Sequence, residues 1–244
     1  MFQIFQNAKW NDMLYKLNQN IYFVKENDTD TLHFNWLFRA ISLVNKKFIN
    51  YTVYNGRKKE KRFHKERVFA YELYRQWANI LDSECNEPLV LNAELDKIID
   101  ERIGTDDELE NVCNFEEERK YPDIVLHNGQ GCGKIQKIIC EIKRNTESKI
   151  SGSVILADLY KLACYMDEEK FHSGINPFEY GIFVFVNGSL NQFKTIKKAK
   201  IKVSSNDNYS FSQFKQEMGK HFENIICVTY DGATIEYKTL KGLL

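Results

Sequence analysis

The chain has 244 residues, a balanced charge of 34 basic and 34 acidic side chains, and 43% hydrophobic residues. That is enough for one large globular domain, or for a core domain with an appendage. The balance excludes a wholesale polyanion-binding surface, although local patches remain open.

Six cysteines stand at 85, 113, 132, 140, 164 and 227 with no Cys-x-x-Cys pair, several of them in apolar runs. A disulfide framework and a zinc site are not expected, and reduced thiols suit a cytoplasmic protein. No uninterrupted apolar stretch reaches membrane-spanning length and no signal-peptide pattern opens the chain, so no membrane partner is expected.

Residues 1 to about 50 read as mainly helical. Apolar residues at helical spacing run from Phe34 to Val44, and Trp10, Met13, Leu14 and Leu17 suggest an earlier short helix. The basic run Arg57-Lys-Lys-Glu-Lys-Arg62 is the expected seam between an N-terminal helical extension, 1–60, and a core domain, 61–244. A helix is expected over about 64–80, then a strand within Pro88–Leu95. An acidic run follows over 96–120 and reads as a solvated face or loop.

Two strands come next, 122–127 and 137–143, joined by Asn128-Gly-Gln-Gly-Cys-Gly133, whose three glycines suit a hairpin loop. A helix near 154–167 leads to Gly181–Val186, apolar throughout, as in a strand buried on both faces. Phe211–Phe222 reads as helical, and Ile225–Tyr230 and Thr234–Leu240 as closing strands. The expected class is α/β, a mixed central β-sheet flanked by helices, with the N-terminal helical extension.

Chemistry concentrates in the hairpin. Side chains alternate across a strand, so Glu141 and Lys143 share a face, and the hairpin returns Asp123 towards Glu141. Two carboxylates gathered in an otherwise apolar place call for a cation, and a divalent metal is the natural occupant. The tripeptide Glu-x-Lys is weak alone: roughly one copy is expected by chance. This chain has five, starting at Glu118, Glu141, Glu147, Glu168 and Glu236. Only Glu141 combines an apolar strand, a partner strand and an acid opening that partner. The copy at Glu236 is strand-like too, but its upstream acid, Asp231, falls in a turn.

Pro122-Asp123 followed by Glu141-Ile-Lys143 resembles the PD-(D/E)XK nuclease superfamily. The resemblance covers about 62–190. It implies a restriction-endonuclease-like core, in which Asp123 and Glu141 bind Mg²⁺ (Mn²⁺ can substitute) and Lys143 assists phosphodiester hydrolysis. The segment from Lys65 to Trp77 is similar to the first core helix of the family, which often supplies a further metal-site glutamate. Glu66 and Glu72 compete for that place. Glu66 is favoured because it shares a helical face with Ala70, Leu73 and Trp77.

The segment from Ala157 to Tyr165 resembles the helix after the catalytic strand. Lys161 stands where some members carry the Gln of Gln-x-x-x-Tyr, and Tyr165 keeps the Tyr. Asp158 and Lys161, three apart, read as a local ion pair or as auxiliary site residues. Tyr165 reads as core or as a hydroxyl near the site. His127 reads as a hairpin-end residue.

The implied partner is nucleic acid, with DNA ahead of RNA. Arg57, Lys58, Lys59, Lys61 and Arg62 are candidate phosphate contacts, with Lys194, Lys197, Lys198, Lys200 and Lys202 as a second cluster. The rival reading is a catalytically silent nucleic-acid-binding or protein-interaction module on the same fold.

Overall fold

The computed structural model describes residues 14–16, 29–49, 53–54, 62–63, 66–93, 122–128, 134–145, 149–170, 176–204 and 207–244. Arg57, Lys58, Lys59, Lys61, the acidic run 96–120, and Trp10, Met13 and Leu17 lie outside them.

The helices are α1 (Thr29–Leu43), α2 (Lys46–Ile49), α3 (Glu66–Glu84), α4 (Gly152–Tyr165), α5 (Phe211–Met218) and α6 (Leu240–Leu243). The main strands are β1 (Leu14–Lys16), β4 (Val90–Ala93), β5 (Ile124–His127), β6 (Gln136–Arg144), β7 (Tyr180–Val186), β10 (Ile225–Tyr230) and β11 (Thr234–Thr239). They form one mixed seven-stranded sheet in the order β1-β11-β10-β7-β6-β5-β4. β6–β7 and β7–β10 are parallel and the other pairs antiparallel. Two short pairs lie outside it: β2 (Val53–Tyr54) with β3 (Arg62–Phe63), and β8 (Lys200–Ser204) with β9 (Asp207–Ser210). The class is α/β with helices on both faces of a mixed sheet.

The alternation of β7 shows why. Ile182, Val184 and Val186 join one apolar cluster, with Phe34, Trp36 and Leu37 of α1 and Phe69, Leu73 and Trp77 of α3. Phe183 and Phe185 point oppositely, into a second cluster with Ile155, Leu156 and Leu159 of α4 and Phe214 of α5. A strand with no polar face needs a layer on each side. α1 lies directly on the sheet, Phe38 stacked on Tyr237 at 5.0 Å and Phe34 edge-on to Tyr180 at 4.8 Å. Among the described residues no helix is long and apolar enough to cross a membrane.

The short helix expected around Trp10–Leu17 is corrected at Leu14–Lys16, which forms an edge strand against Ile235 and its neighbours. Unpaired N–H and C=O groups along β11 outweigh the weak helical preference of so short a segment. The segment Leu190–Lys198, read only as part of a lysine cluster, is a 3-10 helix.

The end of α4 is tied down by Asp167. Its Oδ1 accepts from the Glu169 and Lys170 amides, and its Oδ2 pairs with Lys220 at 2.8 Å and His221 at 2.9 Å. Burial would raise this carboxyl, but the His221 and Lys220 contacts prevail and hold it at about 2. A carboxyl depressed on folding stabilises the native state above its unfolded pKa, and that stability is lost as pH falls towards 2. Asp167→Asn should therefore cost about 2 kcal/mol near neutral pH. Urea unfolding at pH 7 and pH 3 checks it: the gap from wild type should shrink at the lower pH.

Candidate active site

β6 is an apolar, β-branched run interrupted on one face by Glu141 and Lys143. That face is the one covered by α4. The β5–β6 register, Ile124 opposite Cys140 and Val125 opposite Ile139, carries Asp123 to the level of Glu141. Asp123 is pinned by its neighbour strand: its Oδ2 accepts from the Ile142 amide at 2.6 Å, and its own amide donates to the Cys140 carbonyl at 3.1 Å.

The first turn of α3 delivers Glu66, whose Oε1 lies 3.4 Å from Lys143 Nζ. Ala70, Leu73 and Trp77, on the same helical face, are buried as expected. Glu72 is not brought to the cluster. It binds Arg75 at 2.7 Å and Gln76 at 2.8 Å on its own helix.

α4 supplies the opposite wall. Asp158 and Lys161 each find a strand partner of opposite sign: Lys161 Nζ reaches Glu141 Oε2 at 2.5 Å, and Lys143 Nζ lies 3.5 Å from Asp158 Oδ2. Both partners lie in the weakly screened space between strand and helix, where opposite charges attract more strongly than at the surface. Tyr165, one turn beyond Lys161, packs its ring on Phe178 in the core on this side of the sheet. His127 ends the hairpin strand, its Nε2 2.9 Å from Asn92 Nδ2.

Four carboxylates (Glu66, Asp123, Glu141, Asp158) thus meet two ammoniums (Lys143, Lys161), an excess of two negative charges when all are ionised. Four of them, Glu66, Asp123, Glu141 and Lys143, are displaced from their ordinary values. Burial raises the Glu141 carboxyl well above the ordinary range; Asp123 and Asp158 add to the shift, while Lys161 and Lys143 oppose it. Burial raises Asp123 against the opposing Ile142 hydrogen bond, and raises Glu66 against the opposing Lys143 charge. For Lys143 burial acts downward, but Asp158, Glu141, Glu66 and Asp123 outweigh it and raise the ammonium above its ordinary value. Cys140, on the far face of β6, is a core thiol pushed up by burial.

Glu141 Oε1 and Asp158 Oδ2 are buried without a hydrogen-bond partner, the 3.5 Å Lys143 contact to the latter being an ion pair only. Among the described residues no three His, Cys, Asp or Glu side chains stand together in a ligating array. The carboxylates are turned onto lysines and an amide instead. The donor set nevertheless fits Mg²⁺, which takes hard oxygens and needs only one or two carboxylates besides water and substrate phosphate. The excess charge and the two orphaned oxygens fit it too.

One positioning group was not anticipated. Asn145, immediately after β6, donates from Nδ2 to the Asn187 carbonyl (3.0 Å) and Gln192 Oε1 (2.8 Å), and its Oδ1 accepts from the Ile150 amide at 3.2 Å. It locks the end of the Glu141–Lys143 strand to the 3-10 helix and to the approach to α4. A Ser189-x-x-Gln192 pattern, the sign of a helix start, was the available signal; Gln192 Oε1 accepts from the Ser189 amide at 3.1 Å.

Of the basic residues, Arg62 lies in β3, its backbone paired with Tyr54. The second cluster is on the surface: Lys194, Lys197, Lys198, Lys200 and Lys202 are exposed, while Phe193, Ile196 and Ile201 beneath them are buried. The Glu236 copy of the tripeptide lies on β11, and Asp231 caps the preceding turn through the Ala233 and Thr234 amides. Comparison with protein-family models, curated proteins and solved structures found no match to this chain.

Proposed function

We propose that this protein is a Mg²⁺-dependent nuclease hydrolysing phosphodiester bonds, DNA ahead of RNA, on a restriction-endonuclease-like core. The observation that carries the reading is the meeting of Asp123, Glu141 and Lys143 on one hairpin, inside a cluster of four carboxylates and two ammoniums with two negative charges in excess. The succession α3, β4–β5–β6, α4, β7 supports the finer fold reading, because it is the element order that the PD-(D/E)XK resemblance implies.

Asp123 and Glu141 would hold the ion, with Glu66 at its edge. Mg²⁺ held there would supply Lewis-acid charge to the attacked phosphate and lower the pKa of water. Lys143, held charged between Glu66 and Asp158, donates to a non-bridging phosphate oxygen as negative charge builds there. Asn145 keeps that strand end from shifting, so the ammonium arrives pre-oriented.

The test is incubation of double- and single-stranded DNA and of RNA with Mg²⁺ and with chelator. Cleavage in Mg²⁺ alone supports the proposal. Binding without cleavage of any substrate would transfer the assignment to a silent binding module.

The exposed lysine face, with Lys194, Lys197, Lys198, Lys200 and Lys202, offers positive charge to a phosphate backbone. Lys197 also binds the Leu244 carbonyl oxygen at 2.8 Å, so it is left intact in the test. Lys194→Gln, Lys198→Gln and Lys202→Gln together should weaken DNA binding and flatten its log–log salt dependence by about 0.9 for each phosphate no longer neutralised. Fluorescence anisotropy across a salt series reads the slope, and an unchanged slope would mark these lysines as ordinary solvated charge.

A further inference from the structure

Glu141 is the most deeply buried carboxylate of the site, its side chain 2% exposed, and its two oxygens have unequal surroundings. Oε2 is covered by Lys161 Nζ at 2.5 Å, and Oε1 has no hydrogen bond. Lys161 is itself buried, its side chain 6% exposed, on the helix wall that closes over the strand. A cation therefore already sits on the principal carboxylate, but it is singly charged and, even with Lys143, leaves the four-carboxylate set two charges short.

We infer that Lys161 is an exchangeable counter-ion: it covers Glu141 in the metal-free protein, a divalent cation entering between Asp123 and Glu141 expels its ammonium, and the released ammonium then grips the phosphodiester. The inference rests on the metal-dependent reading proposed above and concerns what Lys161 does within it.

Three physical effects drive the exchange. A doubly charged ion about 2.1 Å from a carboxylate oxygen and an ammonium on the same carboxylate repel strongly where water does not screen them. The ammonium is the group that moves, because it rides on a flexible four-carbon stem, whereas Asp123 is fixed by the Ile142 amide. Once Glu141 is taken by the metal, the strongest new anion to enter the site is the substrate phosphate. Metal and phosphodiester binding are then coupled through Lys161, and linkage makes that coupling reciprocal.

Calorimetry with Mn²⁺ on the wild type and on Lys161→Gln, which keeps a hydrogen-bond donor but no charge, tests the competition. The variant should bind Mn²⁺ at least about ten-fold more tightly, the competing charge being gone. In the wild type, Mn²⁺ should also raise acetylation of Lys161 by an amine-reactive reagent, read by peptide mass spectrometry. Equal or weaker Mn²⁺ affinity in a folded variant overturns the inference. Should the variant not fold, the wild-type labelling decides alone, and labelling unchanged by Mn²⁺ overturns it. Absence of Mn²⁺ binding in both proteins contradicts the metal reading itself, and the exchange falls with it.

Discussion

Asp123→Asn should lower phosphodiester cleavage by on the order of a thousand-fold or more while leaving the metal-free protein at least as stable as wild type. The substitution keeps an oxygen acceptor for the Ile142 amide, so the hairpin loses no hydrogen bond. It removes a carboxylate whose ionised form burial already disfavours. The sign follows from linkage: a carboxyl with a raised folded pKa binds protons more readily when folded, so stability falls as pH rises above the ordinary aspartate range. Asparagine abolishes that fall. Thermal melts at pH 5 and pH 8 should show a smaller drop for the variant than for wild type. Melting well below wild type at both pH values would show that Asp123 holds the fold rather than the chemistry.

Lys143→Met should behave in the opposite way, losing both rate and stability. Its ammonium is the counter-charge shared by Glu66 and Asp158, and without it the charge excess grows from two to three. Burial opposes the charged form, but the four surrounding carboxylates outweigh it, so the charged lysine is a net stabiliser. Stability from a raised lysine is in place at every pH below the ordinary lysine range and is lost only above it. Removing one partner of a partly buried set costs roughly 3 kcal/mol. Loss of charge aimed at the transition state should cost about 10²–10³ in rate. Denaturant melts and single-turnover cleavage read the two separately. Wild-type rate in the variant would remove Lys143 from the mechanism.

The contrast between these two residues was only half visible in the sequence. The hairpin was legible, because alternation around Ile138–Ile142 and a glycine-rich connection leave few other structures for 122–143. So was the α3 face that brings up Glu66 rather than Glu72, since spacings of four, three and four name one side of a helix. The continuous apolar run of β7 announced a strand buried on both sides. The pairing of charges was not legible. Asp158 and Lys161 look like a helix-local pair because sequence shows spacing, not which charged strand side chain lies opposite each. The edge strand at Leu14–Lys16 and the 3-10 helix after Ser189 are likewise set by partners distant in the chain. Asn145 belongs with them, since a lone asparagine becomes a clamp only when Asn187 and Gln192 are folded beside it.

Whether a divalent ion enters among these side chains decides the mechanism. Diffraction from a crystal soaked in Mn²⁺, recorded at the manganese absorption edge, locates the ion directly. The predicted result is an anomalous peak about 2.1 Å from a carboxylate oxygen of both Asp123 and Glu141, with Lys161 Nζ turned away from Glu141. A crystal saturated with Mn²⁺ that shows no peak there, with Glu141 still on Lys161 and Asp123 still on the Ile142 amide, would contradict it.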